Sequence, residues 1–156
     1  MKNIISTIFI MMSFMLSAQE DAARNMVNKT ETSIYKAQKE IMAGHVQSKP
    51  AELSFAIRYQ EKAVETFKAG DFSRAMCYSS ISRQYALEIL SGLDKEKLAK
   101  IKEYFSLTQD ENELINKHNY LNEITENKRN ISTDLIDNSS LVNPEILRNN
   151  YKISLN

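Results

Sequence analysis

Only three glycines and two prolines occur in the 156 residues, and each stands between stretches of helical apolar periodicity. Inside a helix, glycine costs about 1 and proline about 3 kcal/mol relative to alanine, so confining both to borders is the pattern of a chain built from unbroken helices. Gly44 ends a first segment, Ser48 and Pro50 open a second, and Gly70 closes it. Asp71 can then cap a third helix that stops near Gly92, and Asp94 a fourth. Thr108-Gln109-Asp110-Glu111 has the form of a capping box opening a fifth, and Asn143-Pro144 starts a last short one. A β-rich fold with many tight turns needs more glycine than this. The fold class expected is all-α, an antiparallel bundle of about five helices.

Periodicity leads to the same fold independently. In the first helix Ala23, Val27, Thr30, Ile34, Ala37 and Ile41 recur at alternating three- and four-residue steps, a narrow apolar seam. In the second, Leu53, Ala56, Gln60, Ala63 and Phe67 do the same, with Ile57 and Val64 widening the face. The third carries Ala75, Ser79, Ser82 and Ala86, a ridge of small side chains that lets a neighbouring helix approach closely. Joined only by Gly70-Asp71, helices two and three are expected to form a tight antiparallel hairpin. Leu98, Ile101 and Phe105 mark the fourth helix; Leu114, His118, Leu121 and Ile124 mark the fifth. Beyond about Thr125 the chain turns rich in Asn and Ser, and residues 137–156 read as a loosely held tail with a short helix.

Within the hairpin, Ala63, Gly70, Phe72 and Ala75 fall at the offsets of a small residue, a turn glycine, an aromatic and a second-helix alanine. Residues 63–75 therefore resemble the turn region of a tetratricopeptide repeat. Ser79 and Ser82 depart from that pattern, no proline closes the unit, and no second copy follows at the repeat's period of about 34 residues. The resemblance implies one helical pair inside a small bundle, not a solenoid.

The chain opens Met1-Lys2-Asn3, continues with the apolar run Ile4 to Leu16, and reaches Ser17-Ala18-Gln19-Glu20. A short positive region, an apolar stretch and a small residue at the junction, in that order, are the layout of a cleavable secretory signal. The run is shorter than the about 20 apolar residues a bilayer span needs, so no permanent membrane span is expected after cleavage. Leu16-Ser17-Ala18-Gln19 resembles the end of signal peptides of the Bacteroidota. The expected division is residues 1–18 as signal peptide, 19–136 as helical domain and 137–156 as tail, in an exported protein that is periplasmic or secreted.

Lys plus Arg and Asp plus Glu balance at 20 each, leaving no summed field to draw the protein onto nucleic acid. His45 and His118 lack the Glu and His neighbours of helix-borne metal sites, and no phosphate loop, dinucleotide fingerprint, serine elbow or cysteine pair occurs. The lone Cys77 lies in an apolar helical stretch and is expected to be core or half-buried. No catalytic, cofactor-binding or metal residue is indicated. What remains is a surface: Tyr78, Ile81 and Tyr85 flank the small-residue ridge, and Phe55 with Tyr59 forms an off-seam aromatic pair on the second helix. Covered by helices one, four or five, these rings are ordinary core; if partly open, Phe55, Tyr59, Tyr78 and Tyr85 would anchor a partner helix or extended peptide. The expected function is protein–protein interaction without catalysis. A carrier of a small apolar ligand, with Met26, Met42, Met76 and several tyrosines lining a cavity, is the alternative, as is a periplasmic inhibitor or immunity-type protein.

Overall fold

The computed structural model describes residues 2–117, with side chains from 17 to 116. Five α-helices follow one another in this span: α1 (Lys2–Met42), α2 (Pro50–Lys68), α3 (Phe72–Leu90), α4 (Lys95–Phe105) and α5 (Gln109–Lys117). No strand occurs among the described residues, and the all-α bundle holds. Helix α1 runs through the Ala18–Gln19 junction without a break. Among the described residues no helix is long and apolar enough to cross a membrane. The expectations for His118, Leu121, Ile124, the 137–156 tail and the helix at Asn143-Pro144 lie outside the described residues.

Helix ends sit where short-range chemistry puts them. The Asp71 carboxylate accepts from Arg74 N at 3.0 Å and that of Asp94 from Lys97 N at 2.9 Å, each answering a backbone donor that the first turn leaves over. The capping box closes both ways: Thr108 N donates to Glu111 Oε2 at 2.8 Å and Glu111 N to Thr108 Oγ1 at 3.2 Å. Gly44 and Gly70 have φ of 71° and 82°, the left-handed region where a Cβ is penalised. One detail differs from expectation. The cap position before Pro50 is Lys49, with no side-chain cap, and not Ser48. Proline in the first turn has no N–H to satisfy and so lessens the need for one.

Cross-helix pairs give the directions. Ala56 meets Ser82, Phe55 meets Tyr85, Tyr59 meets Tyr78 and Phe67 meets Phe72, so residue numbers rise on α2 as they fall on α3. The hairpin is antiparallel. Its small-residue ridge is closed, with Ala75, Ser79, Ser82 and Ala86 all at 0% exposure. Helix α1 lies on one face of the pair, antiparallel to α2, with Arg24 over the Phe67 ring and Val27 beside Gln60. Its seam is buried from Ala23 to Ala37, and Ile41 is half-buried. Helices α4 and α5 cap this three-helix core: Ile101 and Phe105 join the cluster of Ile34, Ile57, Ile89 and Leu90, and Ile115 joins that of Met26, Met76 and Cys77. On α5 the buried positions are Glu111 and Ile115, one turn apart, while the expected Leu114 is only half-buried.

Candidate functional site

The four aromatic residues singled out above come together in one row. The rings of Phe55 and Tyr85 stack with centroids 5.3 Å apart, those of Tyr85 and Tyr59 at 5.9 Å, and Tyr59 tilts against Tyr78 at 6.2 Å. The order along the row is Phe55, Tyr85, Tyr59, Tyr78, crossing between the two helices at each step. Its facing follows from neighbours. Gln60 donates to Val27 O at 2.8 Å and Ser79 Oγ lies 3.2 Å from Met26 O, both toward α1. Tyr59 and Tyr78 each precede one of these residues, and one residue turns an α-helix by about 100°. Both tyrosines are thereby turned about 100° from the side that meets α1, onto one flank of the hairpin.

Burial along the row is uneven. Tyr59 is 1% exposed, whereas Phe55, Tyr78 and Tyr85 are half-buried. Tyr59 is the anchor that the others lean on, and such ring pairs contribute about 0.5–1.5 kcal/mol each beyond the area they bury. Removal from water, with the neighbouring hydroxyls of Tyr85 and Tyr78, pushes the Tyr59 phenol up to about 12. Burial also raises that of Tyr85. The phenols stay neutral at physiological pH, and the flank is apolar with hydroxyl tips.

The opposite side of α3 holds a group that sequence reasoning passed over. Arg83 is 2% exposed. Its Nε donates to Thr30 Oγ1 at 3.0 Å, Nη1 to Phe105 O at 2.8 Å and Nη2 to Met26 O at 3.1 Å. Ser79 Oγ, 2.8 Å from Thr30 Oγ1, completes the cluster. One guanidinium thus joins α1, α3 and the last turn of α4, where backbone carbonyls have no helical partner. Burial lowers the Arg83 pKa to about 10, and the Glu111 carboxylate acts against that shift. The group remains charged at neutral pH. A buried cation with all three nitrogens donating to its own chain is a structural tie. A signal for it existed: from Phe72 to Leu87 helix α3 contains no acid, so Arg83 has no partner three or four residues away for a solvated ion-pair ladder.

The remaining candidates do not converge. Met26 and Met76 are fully buried in one cluster while Met42 is 59% exposed, so the three methionines proposed to line a cavity are not brought together. Cys77 is fully buried, as expected. His45 is exposed, its Nδ1 2.8 Å from Glu40 Oε2, and this contact is the main cause that lowers the Glu40 pKa. Among the described residues no group of three or more His, Cys, Asp or Glu is placed to hold a metal ion. Compared with protein-family models, with curated proteins and with solved structures, the chain matches none.

Proposed function

We propose that the chain is exported and acts by binding another protein through the aromatic flank of the α2–α3 hairpin, without catalysis of its own. The observation that carries this reading is the unbroken row Phe55, Tyr85, Tyr59, Tyr78 along one flank of the α2–α3 hairpin, with three of its four rings half-buried. Tyrosine and phenylalanine supply large contact area at small entropic cost, which is why they dominate the energetic centres of interfaces. The flank is supported from behind by the closed Ala75–Ser79–Ser82–Ala86 ridge, so it meets a partner already ordered, and preorganisation lowers the cost of association. An amphipathic helix or an extended apolar segment is the shape such a row accepts.

The test is site-specific photo-crosslinking of the exported protein in its own cell envelope. A photoreactive residue at Tyr85 or Phe55 is expected to capture a discrete partner, and one at exposed Lys100 is not. The Tyr78→Ala, Tyr85→Ala double variant should weaken that partner's binding by about 2 kcal/mol or more, over tenfold in Kd, with far-UV circular dichroism unchanged. Equal capture at all three positions would sink the assignment. A co-purifying small molecule with no protein captured would favour the carrier.

A further inference from the structure

Cleavage after Ala18 leaves Gln19 at the head of the mature chain, followed by Glu20 and Asp21. Ser17 and Ala18 are exposed, Gln19 is half-buried, and from Ser17 onward the first fully buried side chain is Ala23, with Met26 and Val27 behind it. Only residues 19–22 separate the new terminus from the core. On the export reading given above, we infer that Gln19 is a self-modification site whose α-amine closes onto its own side chain as pyroglutamate. The amine nitrogen attacks Cδ of the carboxamide, the N–Cδ bond forms, the Cδ–Nε2 bond breaks, and ammonia leaves with a proton given up by the amine. The step is an internal amide exchange and needs neither oxidant nor co-reactant.

Two features of α1 give the closure a consequence. A free α-ammonium at this position would add positive charge to the positive end of the helix dipole. The neutral lactam leaves Glu20 and Asp21 as the charges of the first turn, with Glu20 Oε1 held 2.6 Å from Arg24 Nη2. The second feature is proximity to the core. Aminopeptidases grip a free α-amine, and trimming a few residues past Gln19 would remove Ala23, Arg24 with its seat over the Phe67 ring, and Met26, whose carbonyl receives Arg83. The ring closes that route of attack.

Mass spectrometry of the N-terminal peptide, taken from full-length chain exported by a bacterial host, tests the inference. The expected peptide begins at residue 19, is lighter than the plain sequence by one ammonia, and resists a purified aminopeptidase, whereas Gln19→Ala is trimmed. A peptide beginning at residue 19 with a free amine, digested as fast as the variant, would overturn the modification and leave export standing. An intact leader, or a terminus elsewhere, would overturn the modification together with the cleavage junction it rests on.

Discussion

The two sides of α3 are built on different physics. Toward α1 the helix meets its neighbour through directional bonds: Arg83, Thr30 and Ser79 place charge and hydroxyls against the Met26 and Phe105 carbonyls in a site closed to water. On the other flank it offers rings, two pairs stacked and one tilted, with centroids 5.3 to 6.2 Å apart. Directional bonds tolerate only one register, since an orphaned buried partner costs about 1–3 kcal/mol. Stacking and apolar contact are less exacting and survive small shifts. One side of the helix therefore fixes where α1 and α4 sit, and the other is the flank proposed to meet a partner.

The comparison breaks most severely at the ring that belongs to both the flank and the core. Tyr59→Ala removes the most buried member of the row and should cost about 4 kcal/mol in urea unfolding. A cost below about 1 kcal/mol would mean that the row does not lean on Tyr59. On the polar side, Arg83→Met keeps the length but removes the donors: the Phe105 carbonyl loses its side-chain partner while the Met26 carbonyl and Thr30 hydroxyl are left with Ser79, a loss that should cost about 3 kcal/mol. Thr30→Val in that background should then add less than it does alone, because the two residues share one network. That non-additivity is read from a double-mutant cycle.

Smaller effects sharpen the contrast. Tyr85→Ala, at a half-buried position, should cost about 1–2 kcal/mol of stability, less than Tyr59→Ala, while weakening binding of the proposed partner. Thr108→Ala opens the capping box that orients Glu111 and should cost about 1 kcal/mol. The smallest effect is with alkali. Since the Tyr59 phenol is raised from about 10 to about 12, the unfolded chain ionises first; its stabilising contribution is complete below pH 10 and is lost as pH rises toward and through 12. Denaturation midpoints between pH 9 and 12 should fall less steeply in Tyr59→Phe than in the parent. Arg83 gives no slope below about pH 10, because it is charged in both states there.

How much of this was legible beforehand follows from the range of the forces involved. Caps and turns depend on neighbours within four residues, so Asp71, Asp94, the Thr108–Glu111 box, Gly44 and Gly70 could be placed from the chain alone. Seams at helical spacing were equally readable, and Val27, Thr30, Gln60, Ala63 and the α3 ridge are all fully buried. The four aromatic residues could be named as off-seam, but not as one continuous row. That depends on the offset between α2 and α3, which Gly70-Asp71 and the small-residue ridge set together.

Amino-acid order alone determined that the described residues are helical, where the breakers Gly44 and Gly70 and the caps Asp71, Asp94 and Thr108 set helix ends, and which stripe of α1, α2 and α3 turns inward, because those properties rest on contacts one turn long. Tertiary structure alone decided that Arg83 is a buried tie, that α5 buries Glu111 and Ile115 in place of Leu114, and that Tyr59 is shielded while Tyr78 and Tyr85 stay half-open. Each of those outcomes depends on which helix faces which, and at what angle, and residues more than twenty positions apart settle it only when they meet.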